Sequence, residues 1–301
     1  MKNNPKVSVV LPTFNRAREL PRSICSVLSQ TFRNFELIVV DDASTDGTEE
    51  VVKAIGDGRI RYVKLKENVG GAEARNVGIR TACGDIVAFQ DSDDEWTVCK
   101  LARSVKELES DQNVGVVFSA FIQVDKKGCA KMPRGIDLVN LDKFYDCLLW
   151  QNVVDTPTLV ARRSVLDAVG GMDASMPRYQ DWELALRLAK ITHFKFIDEP
   201  LIISNLTENS ITQNKIAHGI ALRKIYDKHA AAINENRVLK AAWLHRLGDA
   251  RMIDGIKGGR RLLARALMHD PLNLRYLVKM MLALPDNNRF YSWAKSFFES
   301  K

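Results

Sequence analysis

Residues 86–96 read IVAFQDSDDEW. Four apolar residues predict a buried strand, and they run directly into three aspartates, Asp91, Asp93 and Asp94. Two carboxylates about 5 Å apart repel each other by about 3 kcal/mol at an effective dielectric constant of about 20. A cation, a set of basic or amide donors, or solvent must therefore offset the repulsion where this strand ends.

Strands and helices alternate on both sides of this stretch. We predict strands at 7–12, 35–40, 60–65, 85–90 and 114–120, and helices at 18–30, 44–55, 71–82 and 97–110. The apolar runs of the strands are continuous, which indicates an α/β fold with a mostly parallel sheet and helices on both faces. Ligands bind at the carboxyl ends of the strands in such sheets. The polar segments 12–16, 41–48 and 91–94 each follow a strand, so we expect them to meet at one edge.

The remainder of the chain is less regular. After residue 120 we predict a turn at 170–173, a helix at 180–190 and two short strands, HFKFID and PLIIS. From 213 onward the pattern predicts helices, with breaks at Gly258–Gly259, Pro271 and Pro285. We therefore expect a first domain over 1–212, made of halves 1–120 and 121–212, and a helical extension over 213–301.

The net charge of +7 is unevenly distributed along the 301 residues. Residues 215–301 hold 17 Lys and Arg against 7 Asp and Glu. Such a surplus suits an anionic membrane surface or an acidic partner, or it is the solvated face of a helical domain. The basic and apolar run 255–284 suits either an anionic membrane surface or a helical cap that packs on the first domain. Nucleic acid is disfavoured, because the interleaved aromatic residues of a single-strand groove are missing.

The five cysteines show no metal-ligand spacing, which predicts free and mostly buried thiols in a reducing compartment. No stretch reaches about 18 uninterrupted apolar residues, and the N-terminus lacks the apolar region of a signal peptide. We therefore expect a cytoplasmic protein, with a peripheral position on the inner membrane face as a further option.

The acidic segment has two interpretations. The spacing of Asp91 and Asp93 lets both carboxylates reach one hard divalent ion, Mn²⁺ or Mg²⁺, which commonly also holds substrate phosphates. Alternatively, this is a solvated turn in which Asp93 or Asp94 caps the helix near Trp96. The residues alone leave both interpretations open.

Two further features concern a nucleotide. Asp41 and Asp42 end the second strand, where an acid often binds a nucleoside, although either could cap the next helix. Neither a dinucleotide-binding glycine motif nor a P-loop is present. A metal or Arg75 would then neutralise the phosphates. Gly70, Gly71 and Gly78 would allow the backbone to approach the ligand closely. Arg75 could also form a salt bridge with one of the aspartates, and the two roles are compatible.

Five segments, in their order and spacing, resemble family 2 glycosyltransferases, which are inverting enzymes with a GT-A fold. They are VSVVLPTFNR, SQTFRNFELIVVDDASTDGT, NVGGAEARNVGI, GDIVAFQDSDDEW and QDWELALRL. The resemblance covers about residues 5–205. It implies a GT-A (Rossmann-like) catalytic domain over 1–212 and a nucleotide-diphosphate-sugar donor, with a UDP-sugar favoured. It also implies a glycan or lipid-linked acceptor in polysaccharide biosynthesis.

The resemblance carries site roles over by position. The segment that contacts the nucleoside is Pro12, Thr13, Phe14 and Asn15; the base is bound by Asp42 and the diphosphate by Arg75. Asp91 and Asp93 match the acidic DxD metal motif, with Asp94 beside them, and Mn²⁺ or Mg²⁺ would offset their repulsion.

Asp181 matches the general base of the family, although Gln180 stands where an acid is usual. Glu183 is the rival base, or an exposed helix residue. Trp182 either lines a substrate pocket or belongs to the core. His218 lies beyond the resemblance and is either a late metal ligand or incidental.

Two other functions stay open on the residues alone. A sugar nucleotidyltransferase would have a similar sheet, but a glycine-rich basic loop would be expected where the chain reads LPTFNR. A nucleotide-sugar-binding module without activity would keep the donor pocket and lose the acidic elements, which are present here.

Overall fold

The structure is a computed structural model that describes residues 4–125, 128–133, 141, 143–205, 215–284 and 291–292. The chain forms two compact units. The first comprises Met1–Ser175 and Gln180–Glu208, and the second comprises Met176–Tyr179 and Asn209–Lys301. The division that we predicted at residue 212, and the two halves of the first domain, stay predictions.

The first unit contains nine strands and seven α-helices within the described residues. The strands are β1 (Val7–Thr13), β2 (Phe35–Asp41), β3 (Ile60–Lys64), β4 (Ile86–Phe89), β5 (Glu95–Trp96), β6 (Val114–Asp125), β7 (Gly128–Met132), β8 (Val160–Arg162) and β9 (His193–Asn205). The helices are α1 (Leu20–Leu28), α2 (Thr48–Ile55), α3 (Gly71–Thr81), α4 (Lys100–Ser110), α5 (Phe144–Trp150), α6 (Arg163–Ala168) and α7 (Gln180–Leu188).

These strands form one mixed sheet in the order β3-β2-β1-β4-β8-β6-β9-β5, with β7 paired to β6. The first four strands are parallel, as their continuous apolar runs predicted. The fifth predicted strand is β6, but it does not pair with β4. The three-residue strand β8 lies between them and is antiparallel to both.

Helix α3 packs closely against β1, and this contact fixes one part of the core. All seven residues of β1 are buried. A Cβ atom at Gly78 would lie 2.2 Å from the Val10 Cγ1 atom, so only glycine allows this approach. The same helix carries Arg75, whose position relative to the strand ends is therefore set by backbone packing.

Three details of the predictions for this unit are wrong. The two short strands expected at HFKFID and PLIIS are one strand, β9, because register shifts against β6 carry the chain past Pro200 without a break. The helix expected from residue 97 begins at Lys100. The cysteines are free, as predicted, but none is fully buried; Cys25, Cys83 and Cys129 are exposed.

Lys100 is fully buried in the core at the start of α4. Its Nζ atom lies 3.9 Å from the centre of the Trp96 ring and has no hydrogen-bond partner among the described residues. Burial lowers the pKa of this amine to about 7 from an ordinary 10.5. A lowered pKa in the folded state means that the charge destabilises the fold below pH 7, and that this cost disappears above the unfolded pKa.

We therefore expect Lys100→Met to raise the free energy of unfolding by about 2 kcal/mol near pH 6, with the gain shrinking toward pH 10. Urea unfolding at both pH values measures it. Lys106→Met is the matched control, because Lys106 is exposed on the same helix and should change little. A variant that is less stable than the parent at both pH values would contradict this prediction.

The second unit is helical where the structure describes it. Its helices are α8 (Lys215–Lys228), α9 (Ala230–Glu235), α10 (Arg237–Ile253), α11 (Gly259–His269) and α12 (Leu274–Leu282). The predicted break at Gly258–Gly259 lies where α11 begins, Pro271 falls between α11 and α12, and Pro285 lies outside the described residues. No helix in the described part of the chain is both long enough and apolar enough to cross a membrane.

Candidate functional site

The carboxyl ends of β1, β2 and β4 meet at one edge of the sheet. Thr13 pairs with Asp41 in the parallel register, and the Asp42 N–H donates to the Thr13 carbonyl over 2.8 Å. β4 lies on the other side of β1 and leads into the segment of Asp91. The three polar segments that follow these strands are therefore neighbours.

Asp42 is buried and connects two loops at this edge. Its Oδ1 accepts the Val69 N–H over 2.7 Å, and its Oδ2 accepts the Gly70 N–H over 2.9 Å. Asp41 instead accepts the Ser44 N–H over 2.8 Å. Neither acid caps the following helix, because α2 begins only at Thr48. The capping alternative for these acids is wrong.

The segment after β1 presents both buried and exposed groups. Pro12 and Thr13 lie inside β1, whereas the Phe14 side chain is 44% exposed. The Thr13 hydroxyl is buried and finds no hydrogen-bond partner within the described part of the chain. Asn15 has a φ of 51°, and its Oδ1 accepts the Thr45 N–H over 2.8 Å. The strained Asn15 backbone thus ties this segment to the loop after β2.

Two arginines approach the acidic segment. The Arg75 guanidinium forms a salt bridge with Asp91, and the Arg16 Nη2 lies 3.4 Å from the Asp93 Oδ2. The predicted salt bridge of Arg75 with an aspartate is therefore confirmed. These partners offset part of the carboxylate repulsion in the absence of any ligand.

Asp94 differs from its two neighbours because it is almost completely buried. Its Oδ1 accepts the Asn205 N–H over 3.1 Å. Burial raises the pKa of Asp94 to about 9, and the charges of Asp91, Asp155 and Asp93 add to the shift. The capping alternative for Asp93 and Asp94 is wrong, because α4 begins six residues after Asp94, at Lys100.

Asp155 belongs to the same acidic group and was missed in the sequence. It precedes a single 3₁₀ turn, and its Oδ1 accepts the Thr156 N–H over 3.0 Å. Burial raises its pKa to about 8, helped by the charges of Asp181 and Asp91 and opposed by Arg75. No motif marks this residue, and its only signal is an acid placed after the apolar pair Val153–Val154.

Asp181 lies in the first turn of α7. Its Oδ1 accepts the Trp182 N–H over 2.7 Å and an N–H of Asn152 over 3.5 Å. Burial raises the pKa of Asp181 to about 6, against the opposing effects of the Trp182 N–H and Arg75, and Asp91 adds to the rise. A carboxylate with a pKa near neutrality is suited to accept a proton.

The two neighbours of Asp181 on α7 have structural contacts. Trp182 is buried, and its indole N–H donates to the Leu148 carbonyl over 2.7 Å, which places it in the core. Glu183 is not the exposed residue that we expected. It is fully buried, and Arg187 donates to both of its oxygens while also donating to the Val169 and Gly171 carbonyls. The pair therefore fastens α7 to the preceding turn.

His218 lies in the second unit. Its Nδ1 is 2.8 Å from the Tyr179 hydroxyl, and the two rings meet edge to face. Tyr179 has a φ of 60°, which is rare for a bulky residue. The predicted role of His218 as a metal ligand stays a prediction.

The acidic group fits a divalent ion by the chemistry of its donors. Five carboxylates, those of Asp91, Asp93, Asp94, Asp155 and Asp181, act on one another electrostatically, with Arg75 and Arg16 as counter-charges. Among the described residues, no three His, Cys, Asp or Glu side chains are grouped closely enough to hold a metal on their own. Mg²⁺ sites commonly use one or two carboxylates and complete the ligand shell with water and substrate phosphates.

Comparison with known proteins identifies relatives along most of the chain. The sequence model of the family named Glycosyl transferase family 2 matches residues 8–170. The chain is 32% identical over 225 residues to TuaG of Bacillus subtilis, a glycosyltransferase provisionally assigned to teichuronic acid biosynthesis. That alignment covers 70% of this chain and 83% of TuaG. The chain spans 18% to 21% of the length of three uncharacterized Rickettsia glycosyltransferases that it also matches.

Two solved structures share the fold. S. aureus TarS 1-349 in complex with UDP-GlcNAc aligns with a TM-score of 0.63 and 17% identity, covering 98% of this chain and 92% of TarS 1-349. The mannosyltransferase PcManGT from Pyrobaculum calidifontis, in complex with GDP-Man and Mn²⁺, aligns with a TM-score of 0.61 and 22% identity. That alignment covers 98% of this chain and 84% of PcManGT.

Proposed function

This chain belongs to glycosyl transferase family 2 and is a glycosyltransferase, and on that premise we propose that it is an inverting enzyme using a nucleotide-diphosphate sugar. A UDP-sugar is the favoured donor, and the acceptor is a hydroxyl of a glycan or a lipid-linked sugar. One observation carries the proposal: the charge of Asp91, in the segment that follows β4, acts on the buried carboxylates of both Asp155 and Asp181, so the three acids lie close together.

The donor would lie along the carboxyl ends of β1, β2 and β4. The buried Thr13 hydroxyl and the exposed Phe14 ring are the groups of the first segment that we expect to contact the nucleoside, with Asp42 binding the base. Arg75 lies beside Asp91 and would bind the diphosphate. The complexes of TarS with UDP-GlcNAc and of PcManGT with GDP-Man support a nucleotide-sugar donor.

Asp91 and Asp93 are the residues that we expect to hold a divalent ion, because both are partly exposed and an arginine lies beside each carboxylate, where it could also meet a phosphate. Bound there with the diphosphate, Mn²⁺ or Mg²⁺ would stabilise the negative charge of the leaving group as a Lewis acid. The Mn²⁺ of PcManGT supports this choice of cofactor.

Asp181 is the proposed general base. Both of its hydrogen bonds among the described residues go to Oδ1, so Oδ2 is the oxygen expected to take the proton of the acceptor hydroxyl. The deprotonated hydroxyl attacks the anomeric carbon while the bond to the diphosphate breaks on the opposite face, which inverts the configuration. The TuaG relative supports a surface polysaccharide as the product class.

Calorimetric titration of the protein with UDP, GDP, dTDP and CDP, each with and without Mn²⁺, tests the proposal. We expect one diphosphate to bind, and chelation of the metal to weaken this binding by at least about tenfold, because an ion held by Asp91 and Asp93 would offset the negative charge of the phosphates. The matching monophosphate is the control, since it lacks the second phosphate and should bind weakly in both conditions. Absence of binding for all four diphosphates would refute the proposed donor site.

Transfer and binding must be measured separately to exclude the two alternatives. A binding module would show the diphosphate isotherm but release no nucleoside diphosphate from any donor sugar. A nucleotidyltransferase would release pyrophosphate from a nucleoside triphosphate and a sugar phosphate. We expect only nucleoside diphosphate to be released.

A further inference from the structure

Helix α12 in the second unit is apolar around most of its circumference. Tyr276 and Ala283 face the core of the unit and are buried. Leu274, Leu277 and Val278 lie on the opposite side and are exposed, and Met281 and Leu284 continue that exposed row. A helix at the surface of a globular protein normally has polar residues on its outer side.

The exposed row extends into the preceding turn. Leu272 is 91% exposed at the tip of this turn, and Met268, at the end of α11, is 75% exposed. We call the whole set the α12 surface; it comprises Met268, Leu272, Leu274, Leu277, Val278, Met281 and Leu284. Single exposed leucines are ordinary on protein surfaces, but a group of seven large apolar side chains indicates a partner.

Arginines border the α12 surface at both ends. An N–H of Arg237 donates to the Met268 carbonyl over 3.4 Å, and an N–H of Arg260 donates to the Leu284 carbonyl over 3.0 Å. Arg275 is exposed on α12 itself. Burial lowers the pKa of His269, and the nearby charges of Lys240, Arg237 and Arg265 lower it further, which places a basic cluster at the end of α11.

The local sequence is strongly basic. Residues 256–284 contain six Lys and Arg and one acid, Asp270. A second copy of this chain would bring two such basic rims together, and the repulsion opposes self-association through this surface. An anionic surface would instead meet complementary charge, with arginine side chains long enough to reach headgroups while their stems cover apolar area.

We infer that the α12 surface docks on an anionic lipid bilayer, with its apolar row inserted at the headgroup boundary and its arginine rim against lipid phosphates. An amphipathic helix that lies flat on a membrane has this combination of residues. The inference rests on the proposed function in one respect: a lipid-linked acceptor would explain why the enzyme docks on a bilayer. The docking itself requires neither donor nor acceptor.

Flotation of the full chain with phosphatidylcholine vesicles, with and without phosphatidylglycerol, tests the docking in the absence of nucleotide. We expect binding to the anionic vesicles and little to the neutral ones. The variant L272Q/L274Q/M281Q should bind at least about tenfold more weakly, because three exposed apolar side chains are lost from the interface. The variant V98Q/I191Q removes exposed apolar residues from the first unit and should bind as the parent does.

A second variant, R265E/R275E, tests the rim without changing the apolar row. Each cation near an anionic surface contributes about fivefold to binding, so this charge reversal should weaken binding by at least about tenfold. Its substitutions are at exposed positions, and circular dichroism should show an unchanged unfolding temperature.

Three results would overturn the inference. The first is a parent chain that does not bind anionic vesicles, and the second is a triple variant that binds them as the parent does. The third is a parent dimer that the triple variant converts to a monomer while neither binds lipid, which would assign the surface to a second copy. Calorimetric binding of the nucleoside diphosphate is measured on the same samples, so a failure of the donor site is distinguished from a failure of docking.

Discussion

Replacing Asp181 by asparagine is expected to lower kcat for sugar transfer by about 10²- to 10⁴-fold, because the amide cannot take the acceptor proton. Asparagine keeps the Oδ1 acceptor for the Trp182 N–H, so the start of α7 should remain in place. Steady-state kinetics with donor and acceptor measure the effect. The affinity for the nucleoside diphosphate should remain within about twofold, because it does not depend on proton transfer.

The dependence of kcat/KM on pH is a second test of the role of Asp181. The pKa of Asp181 is raised to about 6, mainly by burial, and a base acts only when it is deprotonated. kcat/KM should therefore fall about tenfold per pH unit below pH 6 and level off above it. In Asp181→Asn the remaining activity should lose this acidic limb.

Glu183→Gln is the matched control on the same helix. Glu183 is fully buried in its pair with Arg187, so the variant should lose stability while keeping the acidic limb of the profile. Full transfer activity in Asp181→Asn, or loss of the limb in Glu183→Gln alone, would assign the base to another residue.

The largest effect on donor binding is expected from Asp93→Ala. Asp93 is partly exposed and has the Arg16 guanidinium as a counter-ion. Removing its carboxylate should weaken Mn²⁺-dependent binding of the diphosphate by about a hundredfold, because a Lewis-acid contact of this kind contributes several kcal/mol. Calorimetry with and without chelator separates this metal-dependent part from the affinity that the nucleoside supplies.

Asp94→Asn is the control for that prediction. The Asp94 side chain is buried against the end of β9, where its Oδ1 accepts the Asn205 N–H. Asparagine keeps that acceptor and the volume, so diphosphate binding should change by no more than about twofold. Loss of binding in Asp94→Asn with normal binding in Asp93→Ala would transfer the metal role to Asp94.

The family and the GT-A fold were predictable from the sequence and are confirmed. The first four strands were visible because a strand buried on both faces is apolar at consecutive positions, as in VSVVLP and FELIVV. β8 was not visible because three residues give no pattern, although its antiparallel pairing joins β4 to β6 in the sheet.

The site was predictable only in part. The three aspartates after β4 are recognisable in the sequence as a candidate site. Their negative charge also predicts the salt bridge with Arg75. Asp155 was missed because its importance comes from where the fold places it, beside Asp181 and Asp91. The burial of Glu183 was also hidden, since a buried ion pair and an exposed one have the same i, i+4 spacing.

The acidic segment has one further consequence through the sheet order. β4 and β5 lie four places apart in the sheet, yet only residues 90–94 connect them. Four places in a flat sheet span about 19 Å, which five residues could cross only if fully stretched. The segment is instead turned, with the Asp94 N–H bonded to the Asp91 carbonyl, so the sheet must curl until β5, at one end, approaches β4. The aspartates are therefore fixed at both ends as the chain folds, and a ligand that meets them has little conformational entropy left to remove.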